Sequence, residues 1–387
     1  MMPAMQRRQA MGALVGCSAG LLGMPGVAAT GSPANAADSA WPAWTRFKNQ
    51  FISADGRVID GDSARNHTVS EGQAYALFFA LVANDHSSFE RVLRWTEDNL
   101  CQGDLSAHLP AWQWGKQDSG RWGVIDSHSA SDADLWLAYA LGEAGRLWGE
   151  RRYSALSSLV GARIVREETA ELAGLGLTLL PGPKGFVTSP TRWRLNASYC
   201  PPQVMSWMAA NADSAVWRRL AESALKVTLG SAPKGFSGDW TVFDAERGFL
   251  PDLDGEEKGH GSYNAIRVYL WAGTLHPQAS ERATLLRALQ PMAQLIRDTG
   301  SAPESIDILT GQSDGPAPSG FVAALLPFLA AQQDNQALQQ QRARLQAQAL
   351  RANAYYEQAL SLFGLGWMDG YYRYAIDGRL QPRWNKP

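Results

Sequence analysis

Two carboxylates stand where apolar segments begin. Asp132 lies in Ala130-Ser131-Asp132-Ala133-Asp134, which runs directly into Leu135-Trp136-Leu137-Ala138-Tyr139-Ala140-Leu141. Glu71 lies in Ser70-Glu71-Gly72-Gln73-Ala74-Tyr75. Each has a purely structural explanation, because acidic residues in a first turn face a helix's free N–H groups and the positive end of its dipole. Ser129 or Ser131 can cap the first start, and Thr68-Val69-Ser70-Glu71 fits a capping box at the second. Gly72 and Gln73, however, are a poor choice if stability is the only purpose of that start. A Glu71 carboxyl half-buried among Tyr75, Phe78 and Phe79 would bind its proton more tightly, as a general acid at neutral pH requires. Carboxylates on the ends of two helices form an arrangement that cleavage of a glycosidic bond can use.

Other chemistries find little support. The six histidines (His67, His86, His108, His128, His260 and His276) show no metal-ligand spacing. No nucleophile elbow, phosphate-binding loop or dinucleotide fingerprint occurs, so neither metal nor organic cofactor is expected.

The surrounding chain has 387 residues, 45% of them hydrophobic, enough to bury a large core. Its formal charge of -2, with signs mixed, offers no electrostatic case for nucleic acid or an anionic membrane. Fifteen tryptophans exceed what packing needs, and planar indoles stack on the apolar faces of sugar rings. Arg7-Arg8, the apolar run Met11 to Val27 and Ala34-Asn35-Ala36 read as an export signal over residues 1–36, leaving a single domain over 37–387 in the periplasm or medium. The paired arginines also permit twin-arginine export. Cys101 and Cys200 then remain, and buried free thiols suit so large a core better than a disulfide.

Beyond residue 41 the apolar period is helical almost throughout. Twelve helices are expected near 42–53, 71–83, 88–100, 132–148, 151–166, 202–210, 214–229, 263–273, 277–297, 320–331, 335–351 and 354–363. Short links alternate with four long connectors: 102–129, 172–201, 231–262 and 299–319. Long ordered connectors are usually functional. The expectation is an all-α toroid of six helical hairpins with its functional loops gathered on one face.

The segment Ala130 to Trp148 resembles the signature of glycoside hydrolase family 8. Further similarities are Trp41-Pro42-Ala43-Trp44, Ser70-Glu71-Gly72-Gln73, Leu109-Pro110-Ala111-Trp112, Ser198-Tyr199 with Pro201-Pro202, Ala265-Ile266-Arg267-Val268-Tyr269, and Tyr355-Tyr356. Within that family the pattern is most similar to the periplasmic endoglucanases encoded with bacterial cellulose synthase. The resemblance implies an (α/α)6 barrel with a cleft for a β-1,4-glucan, acting as a monomer in loose association with the synthase machinery. It places Glu71 on the proton donor and Asp132 on the aspartate that contacts the distorted sugar. Arg267, Tyr199, Tyr355 and Tyr356 fall on cleft residues, with Trp112 and Trp114 as sugar platforms.

One position departs from the family. Where an aspartate serves as general base, this chain has Asn264, and an amide cannot take a proton from water. Asp252, Asp254, Glu256 and Glu257 just upstream, or Asp132 itself, are the remaining candidates; the loop run also reads as a solvated acidic turn. The expected activity is an inverting endo-β-1,4-glucanase. Alternatives are a glucan-binding protein impaired by Asn264, and a chitosanase or xylanase of the same family.

Overall fold

In the computed structural model, residues 41–61, 63, 66–212 and 214–385 are described; the expected export signal lies outside them. Twelve helices are present among these residues: α1 (Pro42–Phe51), α2 (Ser70–Val82), α3 (His86–Leu100), α4 (Ser131–Trp148), α5 (Arg151–Glu167), α6 (Pro202–Asn211), α7 (Ser214–Gly230), α8 (Ala265–Thr274), α9 (Arg282–Thr299), α10 (Ser319–Ala331), α11 (Asn335–Ala347) and α12 (Tyr355–Met368). Each matches an expected segment. The largest shifts are at the start of α9, which begins at Arg282 rather than Pro277 because 277–281 turn first, and at the end of α12, which continues past Phe363 to Met368.

Burial separates the helices into two rings. Every residue of α2 and of α8 is buried, and α10 is buried from Ser319 to Leu329. A helix apolar on all sides must be surrounded by others. Their partners are amphipathic: α3 buries Phe89, Val92, Leu93 and Leu100 along one stripe. Even-numbered helices therefore form the inner ring and odd-numbered ones the outer ring of an (α/α)6 barrel. Aromatic rings close it near the axis. Phe363 of α12 meets Phe79 and Tyr75 of α2 at 4.7 and 4.9 Å, and Trp136 of α4 and Trp271 of α8 at 5.2 Å each. Around α10 the backbones themselves touch. A Cβ on Gly273 would lie 2.3 Å from Phe328 N, and one on Gly364 2.0 Å from Ala323 O.

Each long connector runs from the end of an outer helix to the start of an inner one, so all gather at the end where inner helices begin. They contain short antiparallel strands that the helical period gave no sign of. β1 (Thr68–Val69), β2 (Gln113–Lys116) and β3 (Trp122–Asp126) form one sheet, and β4 (Thr169–Leu172) pairs with β5 (Gly176–Leu179). β6 (Val187–Ser189), β7 (Arg192–Leu195), β8 (Thr241–Asp244) and β9 (Gly248–Pro251) form a four-stranded meander. β10 (His260–Gly261), β11 (Pro303–Asp307) and β12 (Ser313–Pro316) form another sheet, and β13 (Tyr372–Tyr374) pairs with β14 (Leu380–Pro382) near the C-terminus. Cys101 and Cys200 are buried and free, as their place in the core suggested.

Candidate active site

The two helix starts that hold Glu71 and Asp132 are not capped as the sequence suggested. Val69 is the N-cap of α2 and Ala130 that of α4, and neither start has a side-chain cap. Main-chain groups hold them instead: Ser70 N donates to Trp112 O (3.0 Å) and Ser131 N to Pro181 O (3.1 Å). Neither carboxylate therefore stands at the N-cap, though Asp132 Oδ1 still accepts Ala133 N in the first turn at 2.9 Å. Both are buried, and both turn to Arg267 on α8.

Arg267 is the hub. Its Nη1 donates to Glu71 Oε2, to Asp132 Oδ2 at 2.9 Å and to the Tyr75 hydroxyl at 2.9 Å. Its Nη2 donates to Ser198 Oγ at 2.9 Å and Asn264 Oδ1 at 2.8 Å. Burial works against the guanidinium charge, but Tyr75, Tyr356, Glu71 and Asp132 outweigh it, and the pKa lies well above the usual arginine value. Burial likewise pushes the Tyr75 hydroxyl well above its usual range, partly offset by Arg267. A fixed, fully charged arginine fits a site that must hold two acids in register without losing its own proton.

Glu71 and Asp132 oxygens that share one nitrogen lie within about 6 Å of each other. Inverting attack needs carboxyls about 6.5–9.5 Å apart with a water between them, and here Arg267 Nη1 sits between these two oxygens. The geometry therefore suits Asp132 to steadying a sugar ring rather than to serving as base. Asn264, the N-cap of α8, cannot serve either. A guanidinium only donates, so the amide must turn its oxygen to Arg267, and its remaining atom is a nitrogen that can only donate.

Two residues of this cluster had no role assigned from the sequence. Ser198 accepts from Arg267, donates to Asn196 Oδ1 at 2.7 Å, and its carbonyl receives Trp271 Nε1 at 3.0 Å. Asp239 Oδ1 accepts the backbone N–H groups of Ser262, Asn264 and Ala265 at 2.8, 2.9 and 2.7 Å. It thereby fixes the turn on which Asn264 sits. Burial, partly offset by those three bonds, pushes its pKa up to about 6. Ser198 at least opens the Ser198-Tyr199 motif; Asp239 acts on backbone groups in another stretch of chain, which no local pattern reveals.

The remaining expected residues fall in three places. Tyr199 is buried with its ring 5.6 Å from the Arg267 guanidinium. Tyr355 packs edge-on to Phe51, and its hydroxyl would lie 3.0 Å from a Cβ at Gly72, which accounts for glycine there. Gln73 is likewise explained: it accepts from Val58 N at 2.6 Å and donates to Thr96 Oγ1 at 2.9 Å, bracing the helix. Tyr356 donates to Tyr263 O at 2.6 Å. Trp112 packs with Ala130 and Ala133 on either side of Asp132 in the chain. Trp114, in contrast, is engaged by protein, stacking on Trp122 (5.5 Å), meeting Trp95 edge-on (5.3 Å) and lying 4.4 Å from the Arg57 guanidinium.

The loop acids after β9 are held apart from the hub. Asp252 is buried and bonded to Arg194 Nε at 2.6 Å, and Glu257 to Arg194 Nη2 at 3.1 Å. Arg194 lies 3.9 Å over Trp240, whose ring is 6.1 Å from Tyr199. Asp254 and Glu256 are exposed.

Known proteins are similar to this chain over most of its length. Residues 26–370 match the family described as Glycosyl hydrolases family 8. An endoglucanase of Salmonella typhi is 45% identical over 347 residues, 90% of this chain and 92% of that protein. An endoglucanase of Escherichia coli K12 is 44% identical over 346 residues, 89% and 92% of the two chains. The crystal structure of an endo-1,4-D-glucanase from Vibrio fischeri superposes with a TM-score of 0.85 at 42% identity, covering 89% of this chain and all of that one. With the family matching residues 26–370 and relatives 44–45% identical over nine-tenths of its length, the chain belongs to glycoside hydrolase family 8.

Proposed function

We propose that the chain is an endo-β-1,4-glucanase that cuts internal bonds of a cellulose-type glucan with inversion. The observation that carries this reading is the convergence of Glu71 and Asp132, from two inner-helix starts, on the buried Arg267. The endoglucanases named above are similar over nine-tenths of the chain, which supports a glucan as substrate. Glu71 protonates the leaving oxygen, a water attacks the anomeric carbon from the opposite face, and Asp132 stabilises the positive charge that develops on the ring. Arg267 holds both side chains in register, so that Glu71 in its protonated form and ionised Asp132 meet the sugar from fixed positions. With the Asn264 slot presenting a donor, the base is assigned to the acidic loop, where Asp254 and Glu256 are exposed and Glu257 is half-buried. Export to the periplasm or medium, as a monomer loosely associated with the synthase machinery, completes the reading; its support is the arginine-led apolar segment before residue 37 and the resemblance to the synthase-linked branch.

Asn264 favours one rival, a glucan-binding protein that no longer cuts. Release of reducing ends from carboxymethylcellulose, with glucan affinity measured on the same preparation, separates the two. Release together with binding supports the glucanase; binding without release supports the rival.

A further inference from the structure

A second acidic pair adjoins Asp132 and has no part in the mechanism above. Asp134, in the first turn of α4, and Glu168, just past the end of α5, are both completely buried. Glu168 Oε1 accepts from Ser129 Oγ at 2.6 Å, and its backbone carbonyl receives Leu180 N at 2.8 Å. Among the described residues no N–H or hydroxyl reaches either oxygen of Asp134 or Oε2 of Glu168. The partner of each carboxyl is the other. Two carboxylates cannot bond each other unless one is protonated, so this contact contains a shared proton. The groups that face it are Asp132 on α4, Glu167 on α5 and the Cys101 thiol after α3. The two carboxylates among them oppose a second negative charge at the pair.

We propose that Asp134 and Glu168 are positioning residues for Asp132, one proton between their carboxyls tying the start of α4 to the end of α5 and to Ser129. The proposal rests on the reading of Asp132 as the residue that steadies the sugar. Ser129 lies three positions before Asp132 and Asp134 two after it, so the clamp brackets that residue on both sides. Loss of the shared proton would set two buried carboxylates against each other directly beneath the turn that aims Asp132 at Arg267. Burial raises both groups, Asp134 well above the usual carboxylate range and Glu168 to about 8. Glu168 gives up its proton first, and the proton that Asp134 keeps still bridges the pair; the clamp is therefore closed at neutral pH and opens only when Asp134 ionises in more alkaline solution.

The test compares wild type, Asp134→Asn and Asp134→Ala. Asparagine donates to Glu168 without a titrating proton of its own, whereas alanine removes the partner. Wild-type kcat on a soluble glucan should fall about tenfold per unit on the alkaline limb where Asp134 ionises, beyond the pH of about 8 at which Glu168 does. Asp134→Ala should cost roughly 10- to 100-fold at neutral pH, and Asp134→Asn should recover that loss and flatten the alkaline limb. Infrared spectra at neutral pH should show the carbonyl stretch of a buried protonated acid in wild type and not in Asp134→Asn. Absence of that band in wild type overturns the shared proton. An alkaline limb unmoved in Asp134→Asn overturns the positioning role. Should the chain bind glucan without cutting it, crystals at about pH 7 and about pH 9.5 decide. An Asp132–Arg267 ion pair that breaks at the higher pH in wild type but persists in Asp134→Asn supports the clamp. An ion pair that persists in both overturns it.

Discussion

At the scale of single residues the site turns on which atoms can give or take a proton. Glu71→Gln keeps the shape of the side chain and one acceptor for Arg267 but has no acidic proton. It should preserve the fold and glucan binding while removing nearly all hydrolysis. Turnover above a few per cent of wild type would show that Glu71 is no more than a partner for Arg267. Asn264→Asp poses the complementary question. If an attacking water passes this slot, a carboxylate there should raise kcat by about 10²-fold. If a loop acid already works, the change should do little or harm, because a second nearby carboxylate raises the working base's pKa. Neutralising Asp254, Glu256 and Glu257 singly then identifies the base as the position whose loss abolishes turnover. Glu71, Asp132 and Arg267 were all legible in the sequence because each belongs to a contiguous motif. Asp239 was not, since its three partners are backbone groups of the 262–265 turn in another part of the chain. Asp134 was read only as a first-turn acid; its true partner, Glu168, comes from the far end of the next helix.

At the scale of elements, the start of α8 depends on Asp239. Its raised pKa means that the folded chain holds a proton there that the unfolded chain releases, so stability is fully present below about pH 4 and is lost as pH rises to about 6. Asp239→Asn can still accept the three N–H bonds but does not titrate. The stability of wild type relative to Asp239→Asn should therefore decline between these limits by up to about 3 kcal/mol, read from urea midpoints across the range. A flat difference would show that the carboxylate is ionised throughout. Helices were legible because each spans several turns of a 3.6-residue period, whether apolar on one stripe, as in α3, or on all sides, as in α2. The strands were not: at two to five residues each they contain at most two alternations. Only pairing across a connector, such as β2 against β3, gives them form.

At the scale of the whole molecule, the inner ring is assembled by backbone contact as much as by side-chain packing. Gly364→Ala would place a Cβ 2.0 Å from Ala323 O, and neither main chain can move without shifting its helix. The change should destabilise the fold by at least about 1–3 kcal/mol, measured as a lower midpoint of thermal or urea unfolding. An unchanged midpoint would mean that α10 and α12 have room the structure does not show.

The outer ring is attached very differently. Of α11 only Ala337 and Gln341 are buried, and Gln341 reaches Ala302 N and Gly300 O at 3.4 and 3.2 Å. Regions with so little apolar burial open on their own, well below the free energy of global unfolding. Deuterium should thus enter the amides of α11 within the earliest labelling times, while those of α10 stay protected until the whole barrel unfolds. The segment that α11 holds leads directly into β11, which pairs with β10, which in turn leads into the turn before Asn264. Breathing at the rim is thereby mechanically connected to the lip of the cleft. Gln341→Ala should speed exchange not only in α11 but also at 260–264, leaving the starts of α2 and α4 as slow as before.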